Sequence, residues 1–296
     1  MKKVILCPNP YRDTDLKVAE RSRAILESIG IDTVTCLPFQ PEGNNKTAVA
    51  AASLATAQLD EEIKNADLLI AFGGDGTILH LAKTVAIHDV PVLGINLGSL
   101  GFMSELEANE LERLRDLADW NFIVESRMML DVEIFRNGRS VFNTIALNDA
   151  VISKGSIARV VRLETFTEEG RLTRVTGDGV IISTPTGSTG YSMAAGGPIV
   201  EPTARNLLIT PICPHSTRAD SYVLSPEHVI TVVSTDASRK FVYMSADGGK
   251  AFSLRNGDKV QVKQSKYCTK LVRLSKKSFC EILDTKMAQE AAKYDK

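Results

Sequence analysis

Apolar positions along the first 120 residues alternate between two patterns, short continuous runs and stripes at i, i+3 and i+4. Lys3 to Cys7, Ile31 to Cys36, Ala66 to Phe72 and Pro91 to Leu97 are runs that read as strands. Between the first two, Val18, Ser22, Ile25, Leu26 and Ile29 share one face of a helix that starts near Thr14 and stops at Gly30. Thr47 to Leu59 reads as a buried Ala-rich helix. After Phe72, Ile78, Leu81, Ala82 and Val85 mark a further helix, with Thr77 as its cap and His80 and Lys83 on its polar face. This alternation predicts an α/β domain with a Rossmann-like parallel sheet over 1–124.

Beyond Ser126 the period drops to two. Met128 to Phe135 and Ser140 to Leu147 flank Arg136-Asn137-Gly138-Arg139, an Asn-Gly hairpin signal. Ala158 to Phe166, Arg171 to Val175, Val180 to Thr184, His228 to Ser234 and Lys259 to Leu274 follow as further strands, with a Glu169-Gly170 turn. The pattern predicts an all-β domain over 125–276, two sheets packed as a sandwich or a squashed barrel. Residues 277–296 read as a helical tail that packs back on the first domain.

The chemistry begins at Gly73-Gly74-Asp75-Gly76-Thr77, which joins the Ala66 to Phe72 strand to the next helix. The glycines let the backbone approach a ligand, and the helix start offers free N–H groups to a phosphate, with a carboxylate beside it. Gly73, Gly74, Gly76 and Thr77 are therefore candidate phosphate-binding positions, although Gly-Asp-Gly is also ordinary turn chemistry. Ligands of open α/β sheets bind beyond the carboxyl ends of the strands. Asn96, at the end of the Pro91 to Leu97 run, either faces that crevice or bonds to its own turn.

A second polar constellation lies in the β half. Thr176-Gly177-Asp178-Gly179 leads to Ser183-Thr184-Pro185-Thr186-Gly187-Ser188-Thr189-Gly190-Tyr191-Ser192 and Ala195-Gly196-Gly197-Pro198. Its hydroxyls, glycines and aromatic ring suit a sugar, phosphates and a stacked base, and equally a mobile Gly/Ser/Thr-rich loop. Upstream, Asn148-Asp149 closes a strand. An Asn carboxamide matches the N6 and N7 edge of adenine and an Asp accepts from ribose hydroxyls, while Asn-Asp is also a common turn.

Composition removes several classes. With 35 basic and 36 acidic residues the net charge is -1, which leaves no global electrostatic case for nucleic acid or an anionic membrane. The basic run Lys263, Lys266, Lys270, Arg273, Lys276 and Lys277 is read as a solvated strand face. Five cysteines, at 7, 36, 213, 268 and 280, show no metal-ligand spacing and read as reduced thiols in the cytoplasm. The apolar part of the start is too short for a secretory signal.

Taken in order, Gly73 to Thr77, Gly94 to Phe102, Asn148-Asp149, Gly177-Asp178-Gly179 and Thr184 to Pro198 resemble the motifs of the NAD kinases over most of the chain. The resemblance implies transfer of a phosphoryl group from ATP, or from polyphosphate, to the 2'-hydroxyl of the adenosine ribose of NAD. It implies Asp75 as the catalytic carboxylate, able also to ligate Mg²⁺ or another divalent cation. The NAD site it implies comprises Asp75, Gly76, His80, Asn148, Asp149, Arg159, Thr176, Asp178, Thr189, Gly190, Tyr191, Ser192, Met193 and Ala194. In that picture Asp75 is half of an active site and the β domain holds the other half. The family also implies a homodimer or homotetramer.

Two positions depart from the family pattern. Asp149 stands where the longer Glu is usual, and Gly190 where Ala is common. GGDGT alone is shared with lipid kinases of the diacylglycerol and sphingosine type. That class needs an apolar acceptor pocket, which the Thr184 to Pro198 stretch does not supply. A non-catalytic NAD-binding sensor is the other alternative, and an intact Asp75 argues against it.

Overall fold

The structure is a computed structural model that describes residues 2–39, 57–98, 101–156, 159–215, 220–235, 241–275 and 278–294. Most of the Thr47 to Leu59 helix, with Ser99, Leu100, Lys276 and Lys277, lies outside the described residues. Packing divides the chain into two units, Met1–Ser126 with Thr269–Lys296, and Arg127–Cys268.

In the first unit, continuous apolar runs form a parallel sheet, as expected of strands buried on both faces. The strand Lys3–Pro8 sits between Asp32–Thr35 and Leu68–Gly73, and Val92–Asn96 follows on the far side of Leu68–Gly73. Leu271, near the end of the long strand Lys259–Arg273, pairs in parallel with Val92. One face of the sheet, with Val4, Leu6, Leu68, Ile70 and Phe72, packs on Ala19, Ile25 and Leu26 of the helix Lys17–Ser28. That helix begins later than Thr14. Asp15 and Leu16 have positive φ, and the buried Asp13 carboxylate accepts the N–H groups of Val18 and Ala19 at 2.9 Å each. Gly30, at φ +80°, ends the helix, as its sequence position predicts.

The order of these strands creates a switch point. The chain passes from Lys3–Pro8 to one neighbour, Asp32–Thr35, and then to the opposite one, Leu68–Gly73, so the loops after Pro8 and Gly73 diverge and leave a crevice. The helix Asp75–Ile87 leaves from that point, burying Ile78, Leu81, Ala82 and Val85. It packs so closely that a Cβ on Gly94 would stand 2.7 Å from the Ile78 Cδ1.

The second unit is a sandwich of two antiparallel sheets. One holds Gly170–Gly177, Val161–Thr167, Ile230–Ser234 and the start of Lys259–Arg273. The other runs Tyr222–Leu224, Leu207–Ile212, Gly179–Ser183, Asp149–Lys154, Val242–Ala246 and Phe252–Leu254. Alternate residues meet in one core: Leu163, Val232 and Val262 from the first sheet, Ile152, Val180, Ile182 and Ile209 from the second. The hairpin turn is as the sequence predicts, with Asn137 at φ +51° and Gly138 at +76°.

Among the described residues of the second unit, five strands carry no clear mark in the sequence reading: Asp149–Lys154, Leu207–Ile212, Tyr222–Leu224, Val242–Ala246 and Phe252–Leu254. Asp149–Lys154 and Leu207–Ile212 lack a period-2 pattern because both faces are covered, and the outer strands are three to five residues long. Among the described residues no helix is long and apolar enough to cross a membrane.

The basic run corrects one expectation. Arg273 is not solvated: its Nε donates to Glu125 at 2.8 Å and its guanidinium lies 3.4 Å from Glu105, with side chains 10% and 4% exposed. The tail forms the helix Phe279–Tyr294 and belongs to the first unit, where Phe279 packs at 6.4 Å between ring centroids on Phe102.

Candidate active site

In the first unit, the GGDGT segment lies at the switch-point crevice. Gly74 is extended and precedes the helix, which starts at Asp75. Thr77 is therefore not the cap. Its buried hydroxyl instead accepts a hydrogen bond from Asn9 Nδ2 at 3.1 Å, tying the loop after the first strand to the helix. Gly73 permits that approach, since a Cβ there would lie 2.9 Å from Thr77 Cβ and closer to its hydroxyl.

Asp75 is half-buried on the first helical turn, where the helix dipole favours a negative charge. Its Oδ2 accepts from Phe102 N at 2.8 Å and its Oδ1 from Met103 N at 3.1 Å. Each oxygen keeps a further acceptor position. Gly101 makes the arrangement possible: a Cβ there would sit 2.6 Å from the Asp75 Cγ. The pocket around this carboxylate is lined by Asn9, Arg12, Gly74, Asn96, Gly98 and Lys286, among others. Asn96 also closes its own turn, donating to Gly98 O at 3.0 Å and accepting from Gly98 N at 3.3 Å. His80 is exposed, meets Phe39 edge-on at 4.9 Å between centroids, and is not among the residues that line this pocket.

In the second unit, Asn148 and Asp149 are held by a residue the sequence reading missed. Asp247, in left-handed conformation at φ +49°, accepts the N–H groups of Leu147 and Asn148 at 2.7 Å each and of Asp149 at 3.1 Å. Burial pushes its carboxyl up, as it does for Asp149, which burial and then the Asp247 charge raise to about 7. Asp149 opens the strand Asp149–Lys154, so Asn148 marks a junction between strands. The Asn148 Oδ1 is buried with no hydrogen-bond partner among the described residues, an acceptor left unsatisfied by the fold.

The hydroxyl-rich stretch folds as hydrogen-bonded turns built against Asn148. Thr184 Oγ1 donates to Leu147 O at 2.6 Å and accepts from Gly187 N at 3.1 Å, and Thr184 N donates to Asn148 O at 2.9 Å. A 3-10 turn Thr186–Thr189 and a single α-turn Tyr191–Ala194 follow. Ser188 bonds Val200 and Ser192 bonds Thr210 Oγ1 at 2.9 Å, so these hydroxyls serve the fold. Tyr191, 47% exposed, presents a ring, and Met193 and Ala194 lie beside it on the same turn. A Cβ on Gly190 would stand 3.3 Å from Gly187 O and 3.7 Å from Asn148 Nδ2, close to ordinary contact. Asp178 pairs with Lys154 at 2.6 Å, Thr176 O accepts from His215 N at 2.8 Å, and Arg159 is exposed.

Sequence reasoning also missed Asn9, Arg12 and Lys286. The Asn9-Pro10 pair directly after the first strand was a usable signal for the first two; nothing local marks Lys286.

Comparison with known proteins converges on one family. The model for the ATP-NAD kinase N-terminal domain matches residues 9–118, and that for the ATP-NAD kinase C-terminal domain matches 147–274. An NAD kinase of Natranaerobius thermophilus is 38% identical over 288 residues, covering 97% of this chain and 98% of that protein. One of Acetivibrio thermocellus is 35% identical over 291 residues, covering 97% of each. Among solved structures, a yeast NADH kinase complexed with NADH is 25% identical with a TM-score of 0.81, over 96% of this chain and 86% of that one. An Archaeoglobus fulgidus NAD kinase in complex with ATP shares the fold at a TM-score of 0.71 over 93% and 95% of the two chains, at 24% identity. Nothing in these comparisons favours the lipid-kinase alternative. Matched in both halves by the family's models, and more than a third identical to relatives along nearly its whole length, this chain belongs to the NAD kinase family.

Proposed function

We propose that the chain transfers the γ-phosphoryl group of ATP to the 2'-hydroxyl of the adenosine ribose of NAD, giving NADP and ADP. The observation that carries the chemistry is the Asp75 carboxylate, fixed by two backbone N–H groups at the carboxyl end of a strand. Phosphoryl transfer passes through a loose transition state and needs placement and charge neutralisation more than covalent help. Asp75 accepts a hydrogen bond from the 2'-hydroxyl, aims its oxygen at the γ-phosphorus, and takes its proton as the new P–O bond forms and the bond to ADP breaks. The N–H groups at the start of Asp75–Ile87, with the flanking Gly73, Gly74, Gly76 and Thr77, cradle donor phosphates.

Adenosine recognition falls to the second unit. The partnerless Asn148 Oδ1 accepts from the adenine N6 amine, Asp149 bonds a ribose hydroxyl, and Tyr191 offers its ring for stacking. Asp178, Thr189, Gly190, Tyr191, Met193 and Ala194, with Arg159 and Thr176, complete the dinucleotide contacts in this reading, to which the family resemblance adds His80.

A divalent cation fits this site as a companion of the donor. Asp75 is the one acid lining the pocket, and no cluster of three or more His, Cys, Asp or Glu side chains suited to a metal occurs among the described residues. That donor set suits a cation carried mainly by the donor phosphates, which Asp75 would hold as the protein carboxylate and which would supply charge neutralisation there. The reading extends to a homo-oligomer, on family grounds. It also extends to the cytoplasm, where the five cysteines, free in this fold, remain reduced.

An assay of NADP formation tests the whole, with NAD and NADH as acceptors and ATP and polyphosphate as donors. Asp75→Asn is expected to retain NAD binding and lose at least about a hundredfold in turnover. Turnover near that of the native chain removes Asp75 from the mechanism, and failure of the native chain to form NADP removes the function.

A further inference from the structure

The crevice beside Asp75 holds two cations that the GGDGT motif does not account for. Arg12 lies four residues beyond the end of the first strand, and Lys286 lies in the C-terminal helix. Both line the same pocket, where Asp75 is the one acid among the described residues. Among the described residues neither Arg12 nor Lys286 has a carboxylate partner. The Lys286 ammonium is held 4.1 Å from the centroid of the Phe102 ring, and an Arg12 guanidinium nitrogen stands 3.7 Å from where a Gly98 Cβ would be.

We propose that Lys286, assisted by Arg12, binds the phosphoanhydride chain of the donor, so that the C-terminal helix forms part of the donor site. The inference rests on the kinase reading above and names residues which that reading leaves unassigned. The helix start at Asp75 cannot neutralise a triphosphate by itself: its N–H groups carry about half a positive charge, and the Asp75 carboxylate on the same turn offsets it. A polyanion brought to this crevice requires full cations, and the pocket lining provides two.

The two differ in what they contribute. A guanidinium presents a planar fork to phosphate oxygens, whereas an ammonium is a compact charge on a flexible stem that follows the group being transferred. Phe102 links this charge to the acid: its ring supports the ammonium, and its N–H holds Asp75 Oδ2 at 2.8 Å. One residue thus positions both the acid that receives the acceptor's proton and the cation facing the donor.

The test uses the full chain and initial rates of NADP formation. Lys286→Met keeps the stem and removes the charge, Lys286→Arg restores the charge, and Arg12→Met removes the second cation. Lys286→Met is expected to raise the KM for ATP about tenfold or more while the KM for NAD stays within about twofold, with Lys286→Arg close to the native chain. Inorganic tripolyphosphate is expected to compete with ATP and to lose about the same factor in Lys286→Met. Arg12→Met added to Lys286→Met raises the KM for ATP further. A purely structural role for Lys286 on Phe102 would lower Tm and kcat and leave the KM for ATP in place; that result overturns the inference. So does a tripolyphosphate inhibition constant that Lys286→Met leaves unchanged, or tripolyphosphate that fails to compete at all. If the native chain forms no NADP the kinase reading fails, whereas NADP formation with an unchanged KM for ATP in Lys286→Met refutes this inference alone.

Discussion

Gly101→Ala is the sharpest probe of the catalytic geometry, because the added methyl meets the Asp75 carboxylate. At its ideal position the Cβ lies 2.6 Å from Cγ and 2.9 Å from Oδ2, and ordinary contact begins at 3.4 Å. Oδ1 stands nearer still, so the carboxylate must withdraw by more than about 1 Å, a displacement that costs on the order of a hundredfold when it falls on a positioned catalytic group. Withdrawal also releases the hydrogen bonds from Phe102 N and Met103 N, charge-assisted contacts worth about 1.5–3 kcal/mol each. We expect kcat to fall about a hundredfold, equivalent to about 2.7 kcal/mol in the barrier, with a small change in the KM for NAD. The double variant separates this cause from general damage. If the methyl acts only through the carboxylate, adding Gly101→Ala to Asp75→Asn lowers kcat by less than about threefold more. A single variant that keeps more than about a third of native turnover, or losses that multiply in the double variant, would refute the reasoning.

Two further predictions concern the β unit. Burial and the neighbouring Asp247 charge raise the Asp149 carboxyl to about 7, against a reference of 3.8, so the folded state holds a proton that the unfolded chain releases. Its contribution is therefore lost as pH rises from about 4 to about 7, and Asp149→Asn should raise Tm relative to the native chain more at pH 8 than at pH 5. A gain that is equal at both pH values, or larger at pH 5, contradicts the assignment. A Cβ on Gly187 would lie 2.6 Å from the Asn148 carbonyl carbon and 2.8 Å from its Cα, backbone atoms that cannot step aside. Gly187→Ala should lower Tm by several degrees and weaken NAD binding, measured calorimetrically, at least about tenfold; unchanged binding would detach this contact from the nucleotide site.

Asn148 and Asp149 show how far local signals reach. The Asn-Asp pair stood out in the sequence because its side chains suit adenosine, but the same dipeptide makes turns. The sequence gives no sign of the carboxylate about 100 positions away, Asp247, which takes three successive N–H groups there, while the Asn148 Oδ1 has no partner among the described residues. Ser188 and Ser192 run the other way. Both looked like ligand hydroxyls, and both are committed to Val200 and Thr210.

The sequence by itself determined the features that arise within a few residues: the βα rhythm of the first 120 positions, the Asn137-Gly138 hairpin, the glycine-flanked acid at Asp75, and the order of motifs that marks the family. These follow from periodicity, turn chemistry and backbone freedom, which are local. Tertiary structure decided what depends on distant segments meeting. It created the crevice at the switch between Lys3–Pro8 and Leu68–Gly73, anchored Asp75 on Phe102 and Met103, and brought Lys286 from the far end of the chain to the pocket around that acid. Hydrogen-bond and charge complementarity between residues 27 to 211 positions apart leaves no periodic trace in either segment.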